Sequence, residues 1–288
     1  MSKKIIPFSL TKIIFLLISM ILYSCSHRPV GVADQNSNTQ NQYQNDNSGG
    51  KVYQKGSYAL EDASGTFWFE KVLKTKGNKV ISLNRITDGS NSGKVLEQSI
   101  AVMEVGLRPN QNTSKKNQEQ ELNHRIQVRP SLGQFHIYFD NKKYFSQIKI
   151  NAKKNLVEVD TTGPSASDNK QEKINLPANP VICFFSQVVE CLRIANIVKK
   201  ARLTPNQEFS FTLLWDSYPF HQNQYPSLDS NLFVNAKFKY ETKVKNYFRY
   251  QLKFNNDEII YHLTPNDKLQ DLFWVSQGLS ITGQSGIY

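Results

Sequence analysis

The sequence has few of the residues on which metalloproteins and many enzymes depend. Its 288 residues include only three cysteines and five histidines. No histidine lies close in sequence to Cys183 and Cys191, so the usual zinc-ligand spacing is missing. A glycine-rich phosphate-binding loop is missing as well. We therefore expect no metal site and no cofactor.

Long apolar runs are also scarce. The run from Ile13 to Tyr23 has 11 residues and is interrupted by Ser19, whereas about 20 residues are needed to cross a bilayer core. The first 24 residues carry three lysines and no acid. A basic leader followed by a short apolar segment is typical of a secretory signal that is removed. Residues 1–24 are therefore predicted to be a signal peptide.

The apolar run ends in "LYSC", with Leu22 three positions before Cys25. This motif resembles the lipobox of bacterial lipoproteins. The resemblance implies cleavage before Cys25, a diacylglyceryl group on its thiol and fatty acylation, such as palmitate, on its new amine. Ser26 follows the cysteine, which in that family favours the outer membrane over the inner membrane of the cell envelope. An ordinary cleaved signal and a retained membrane anchor are the alternatives.

Residues 25–51 are dominated by Asn, Gln, Ser and Gly. Such a segment has too little apolar surface to offset the entropy of folding, so it is expected to be a disordered tether. Residues 52–288 would then form the globular domain, with a possible subdomain break near residue 175.

The charge is strongly positive, with 35 Lys and Arg against 24 Asp and Glu. Besides the membrane that holds its anchor, a basic domain of this kind would attract envelope proteins or anionic surface polymers. The lysines are scattered through strand-like segments and form no recognised nucleic-acid motif, so nucleic acid is not an expected partner.

Short segments with a period of two dominate the domain. In residues 246–254, "NYFRYQLKF", Phe248, Tyr250, Leu252 and Phe254 share one face, which predicts a half-buried strand. Similar segments separated by turn residues predict about nine to eleven strands in antiparallel meanders. Two polar segments, near 108–123 and 161–173, are expected to be exposed loops.

One amphipathic helix is expected from Ser186, where a hydroxyl can cap it, to the basic residues before Pro205. The predicted fold is therefore mainly β: an extended, curved antiparallel sheet with this helix on its concave face. A β-sandwich is the alternative.

Cys183 and Cys191 remain as a pair once Cys25 is lipidated, and an oxidising envelope favours a disulfide. On one continuous helix their Cα atoms would lie about 12 Å apart, beyond the limit of about 7 Å for a bridge. A helix that begins only at Ser186 would let Cys183 fold back towards Cys191. Two buried, reduced cysteines are the alternative.

The segment "WDSYPFHQNQYPSLD", residues 215–229, is rich in aromatic and polar side chains. It lies between predicted strands and is the candidate binding loop, through Trp215, Asp216, Tyr218, His221 and Tyr225. Asp216, Ser217, His221 and Asp229 could also form a hydrolytic triad, but no glycine-framed nucleophile turn accompanies them.

Three functions are compatible with these features. The favoured one is a non-enzymatic envelope lipoprotein that binds or scaffolds other components. The second is a carrier of a lipid or other amphiphile, because a curved sheet capped by an apolar helix can enclose a cavity. That layout is similar in architecture to the half-barrels of envelope lipoprotein carriers. The third is a hydrolase.

Overall fold

The computed structural model describes residues 50–89, 93–107, 126–179, 181–225, 228 and 230–283. The predicted signal peptide, the lipobox at Cys25, the tether up to residue 49 and the polar segment 108–123 lie outside these residues. No helix in the described ranges is long and apolar enough to span a bilayer.

Fifteen strands form one curved, unclosed sheet. The first eight are β1 Lys51–Asp62, β2 Gly65–Lys76, β3 Lys79–Asp88, β4 Val95–Leu107, β5 Ile126–Phe139, β6 Lys142–Asn151, β7 Leu156–Thr162 and β8 Lys170–Asn175. The other seven are β9 Ile182–Phe184, β10 Glu208–Leu214, β11 Phe233–Val244, β12 Tyr247–Phe254, β13 Asp257–Leu263, β14 Leu269–Trp274 and β15 Leu279–Gly283.

The strand order is β8 to β1, then β15 to β9, so the chain forms two meanders that join where β1 pairs with β15. All neighbouring pairs are antiparallel except β9 and β10, which are parallel. Strands β8 and β9 are the two edges, and residues on either side of 175 therefore lie at opposite edges of the same sheet. The mainly β fold with a curved antiparallel sheet is confirmed.

The period of two places apolar side chains inside, as expected. In β12, Tyr250, Leu252 and Phe254 are buried, and in β11 so are Val234, Ala236 and Phe238. The predicted number of strands was too low. The charged edge strand β8 and the three-residue β9 lack the apolar alternation by which the other strands are recognised, and β8 begins inside the segment expected to be a loop.

The segment between β9 and β10 covers the concave face. It contains a 3₁₀ turn at Phe185–Gln187, helix α1 at Val188–Ile194 and helix α2 at Ile197–Leu203. The prediction of one continuous helix was wrong, because Asn196 adopts a left-handed conformation, with φ 61°, between the two helices and asparagine tolerates this region better than most residues. Ser186 lies in the 3₁₀ turn and does not cap a helix.

The interior contains two apolar clusters on the concave side. The larger one joins both helices to β1–β3 and β10–β15. The smaller one packs the edge strand β9 and its neighbour β10 against β4, β6 and β7, through Ala101, Ile148, Val157, Val159, Leu176, Ile182, Phe184, Leu214 and Leu232. Gly133 of β5 permits this close approach, since a Cβ atom at this position would lie 3.1 Å from the Phe184 ring.

Candidate functional site: an internal cavity

A cavity of about 130 Å³ lies between the concave face of the sheet and the covering segment. The sheet contributes residues of β1–β5 and β13–β15. The covering segment contributes the 3₁₀ turn and the start of α1. The loop after β10, which contains helix α3 at Phe220–Gln224, contributes the remaining residues. The cavity is thus bounded by elements that are far apart in sequence.

One wall of the cavity is apolar. It consists of aliphatic and aromatic side chains from the two central meanders and the covering segment: Leu60, Phe69, Ile86, Phe185, Val188, Val189, Leu269, Leu272, Trp274, Leu279 and Ile281. The first eight strands and the last seven both contribute to this wall, because β1 and β15 pair in the middle of the sheet. This wall would receive the hydrocarbon part of a ligand.

The polar part of the lining belongs mainly to β2–β4. Lys71 and Asn84 are neighbours across β2 and β3, and Asn84 and Ser99 across β3 and β4. The Asn84 amide donates to the Ser99 hydroxyl at 3.0 Å. Lys71 is buried and donates to Glu190 of α1 and to the Ser186 carbonyl oxygen, both at 2.9 Å. This ion pair ties the covering segment to the sheet.

The loop after β10 closes the cavity on the side where its polar side chains lie, which is called the polar end below. Asp216 is buried and its Oδ1 accepts a hydrogen bond from the Ser186 amide at 3.2 Å. Burial raises the pKa of Asp216 above its usual value, and its hydrogen bonds with Ser186 and the charge of His221 act in the opposite direction. The His221 ring contacts Phe135 edge-on, with ring centroids 5.1 Å apart.

Polar atoms at this end of the cavity lack partners. Within the described ranges, the buried hydroxyl of Ser217 makes no hydrogen bond, and neither ring nitrogen of His221 does. A carboxylate oxygen of Glu97 lies 3.7 Å from His221 Nε2. Since buried polar groups are nearly always satisfied, these atoms require an explanation.

The predicted binding loop faces inward. Trp215, Asp216 and Tyr225 are buried. Trp215 packs against Phe185, with centroids 4.6 Å apart, and Tyr225 packs against Trp274 at 5.6 Å. Of the five candidates, Asp216, His221 and Tyr225 line the cavity, whereas Trp215 and Tyr218 support the loop.

Tyr218 holds the loop against the β4–β8 end of the sheet. Its hydroxyl donates to Glu172 of β8 at 3.2 Å, and its carbonyl oxygen accepts a hydrogen bond from Ser146 of β6 at 2.6 Å. These contacts fix the segment that places Ser217 and His221 at the cavity.

Sequence reasoning missed Lys71, Glu97 and Glu190. One signal was present: Lys71 follows Phe67 and Phe69 at inward positions of β2 and precedes Leu73, which is fully buried. A charged residue in the apolar register of a strand indicates an internal partner.

The Cys183–Cys191 pairing is confirmed, with a Cα separation of 5.8 Å. Cys183 lies on β9 and Cys191 on α1, and the chain reverses between them at the 3₁₀ turn. This is the arrangement that a late helix start would allow. The disulfide fixes α1, and therefore one side of the cavity, to the edge strand.

In the described part of the chain, no group of three or more His, Cys, Asp or Glu side chains is arranged to hold a metal ion. The candidate triad does not assemble there either, because the Ser217 hydroxyl makes no hydrogen bond with His221. Asp229 lies outside the described residues.

Comparisons with protein families, curated proteins and solved structures give no significant match. Function is therefore inferred from the geometry of the cavity.

Proposed function

We propose that this protein is a lipid-anchored protein of the bacterial cell envelope, held at the outer membrane, whose folded domain binds an amphipathic small molecule in the internal cavity. The observation that carries the binding proposal is a hollow with one apolar wall and a polar end, bounded by residues of the main apolar cluster. Protein interiors leave few voids larger than a water molecule, so a hollow of this size is unusual.

The polar end distinguishes the cavity from a packing defect. An apolar void is dry and needs no polar lining, but here the Ser217 hydroxyl and the His221 ring nitrogens are buried without partners in the described chain. A ligand that joins a hydrocarbon part to a polar group would cover the apolar wall and satisfy these atoms together. This supports the carrier hypothesis over the scaffolding hypothesis.

The two other hypotheses have weaker support. Scaffolding through the 215–229 loop would need its aromatic side chains at the surface, whereas Trp215 and Tyr225 are buried. Hydrolysis would need an activated nucleophile, and Ser217 has no base within hydrogen-bonding distance among the described residues.

Ligand binding is tested with toluene, a purely apolar probe of suitable size, by following chemical shifts in the soluble domain from residue 50. We expect saturable shifts confined to residues that line the cavity. Leu279→Trp, which places a larger side chain in the cavity, should weaken binding more than tenfold. Leu203→Trp, at a position that is 72% exposed, is the matched control. Equal binding by both variants would contradict the proposal.

The anchor is tested separately. Cys25→Ala should abolish metabolic labelling with palmitate and release the protein from the membrane fraction, because two or more acyl chains are needed for stable anchoring. Undiminished labelling of that variant would refute the lipoprotein assignment and leave the cavity proposal unaffected.

A further inference from the structure

The size of the cavity limits the hydrocarbon part of its ligand. Its volume of about 130 Å³ is close to that of an engineered apolar cavity of about 150 Å³ that binds benzene. A single ring or a short chain therefore fits, and a complete long acyl chain does not. The ligand is compact.

The charges at the polar end limit the other part of the ligand. The carboxylates of Asp216 and Glu97 both belong to residues that line the cavity and are at least nine-tenths buried. Beside them, the buried hydroxyl of Ser217 and the ring of His221 make no hydrogen bonds within the described chain. Two carboxylates, a hydroxyl and an imidazole ring thus meet where the ligand's polar group would lie.

The cations around the cavity are already engaged. Lys71 is neutralised by Glu190 at 2.9 Å. Arg85 also borders the cavity and its Nε has no hydrogen-bond partner in the described chain. Its side chain alternates with those of Asn84 and Ile86, however, and therefore lies on the other face of the sheet, where it donates to the Gly93 carbonyl oxygen and lies 4.0 Å from Glu70. A bound carboxylate or phosphate would lose its hydration beside two carboxylates without gaining a free cation among the described residues.

We propose that the cavity selects a compact apolar molecule ending in a primary amine and rejects the corresponding acid. This inference rests on the proposed function, because it assumes that the cavity is a binding site. The ammonium group would donate to Asp216 and to the Ser217 hydroxyl, and nearby Glu97 would add favourable charge. Among the described residues Asp216 accepts a hydrogen bond from the Ser186 amide and forms no ion pair within 4 Å, and burial raises its pKa.

The test uses a series of probes with one ring and different end groups: benzylamine, benzyl alcohol, benzoate and toluene. Dissociation constants are measured with the soluble domain by chemical-shift titration at pH 7.5. We expect benzylamine to bind most tightly, at least tenfold more tightly than benzoate, with benzyl alcohol between them. Shifts should include the backbone amides of Asp216 and Ser217.

Asp216→Asn identifies the group responsible. Asparagine keeps an oxygen that can accept the hydrogen bond from the Ser186 amide, so the loop should fold as before. The variant should bind benzylamine at least fivefold more weakly while its affinity for toluene changes less than twofold. Asp140→Asn, in the exposed turn between β5 and β6, is the matched control and should leave both affinities unchanged.

The two proposals fail in different ways. Toluene binding at the cavity with benzoate as tight as benzylamine would overturn the amine inference and leave the proposed function standing. Equal loss of toluene and benzylamine affinity in Asp216→Asn would also overturn the inference, because the carboxylate would then act only through the fold. Failure of all four probes would overturn both proposals.

Discussion

The concave side of the domain has a filled end, where β9 and β10 pack against β4, β6 and β7, and a hollow end over the central strands of the sheet. At the filled end, β9 packs directly on the sheet, and Ile148, Val157, Phe184 and Leu214 are at most 1% exposed. At the hollow end the sheet, the covering segment and the loop after β10 surround a cavity of about 130 Å³. The same sheet forms both ends. The hollow is therefore a local feature of its residues and does not reflect loose packing of the whole domain.

The largest expected difference between the two ends is in the free energy of unfolding that is lost when an aromatic side chain is replaced by alanine. Phe184→Ala at the filled end should lower the free energy of unfolding by about 4 kcal/mol, because the surrounding strands cannot collapse into the space. Phe69→Ala at the wall of the cavity should lower the free energy of unfolding by at least about 1 kcal/mol less than Phe184→Ala does. Phe69 borders the cavity, so its ring has fewer packing contacts to lose.

Urea unfolding of the soluble domain at 25 °C measures both changes. Equal losses for the two variants would show that the hollow end is packed as tightly as the filled end, and the comparison would no longer hold.

The next largest expected change in stability comes from the ion pair between Lys71 of the cavity wall and Glu190 of α1. Lys71→Met should lower the free energy of unfolding by about 3 kcal/mol, because it leaves the buried carboxylate of Glu190 without its partner. Lys79→Met is the control: Lys79 and Glu104 lie 3.3 Å apart, but their side chains are 47% and 46% exposed, and such pairs contribute about 0–1 kcal/mol.

The double variant Lys71→Met and Glu190→Leu separates charge from packing. It should recover most of the stability lost in Lys71→Met, because no unpaired charge remains buried. A double variant as unstable as Lys71→Met would mean that Lys71 contributes mainly through its hydrogen bond to the Ser186 carbonyl oxygen, which both variants lack.

The fold was predictable where the pattern was local. Alternating segments such as residues 246–254 determine their own buried face. The eight-residue spacing of Cys183 and Cys191 indicated that a disulfide between them would need the helix to begin after Cys183. The break at Asn196 was not predictable from periodicity, because the apolar stripe continues across it. The short edge strand β9 depends on contacts with β5 and β10 and has almost no pattern of its own.

The site was less predictable than the fold. Asp216, His221 and Tyr225 were found by composition, but their inward orientation depends on the return of the chain over the sheet. Lys71 and Glu190 are 119 residues apart and meet only because α1 lies across β2. Pairing between distant polar residues of this kind cannot be inferred from the local pattern around either one.

The smallest expected effect tests the electrostatics of the hollow end. Burial raises the pKa of Asp216 in the native state, whereas in the unfolded chain the pKa should be near the usual value of about 3.9. The native protein therefore binds this proton more tightly than the unfolded chain does. The stability contributed by the protonated form is complete below about pH 3.9 and is lost as pH rises towards the native pKa.

Asp216→Asn removes this dependence. The free energy of unfolding of the wild type minus that of the variant should decrease as pH rises from 4 towards the native pKa of Asp216, and then level off, in urea unfolding at a series of pH values. Asp140→Asn measures the same chemical change at the surface. A difference that increases with pH would mean that the native state stabilises the Asp216 carboxylate, and the unliganded cavity would then already balance its charge.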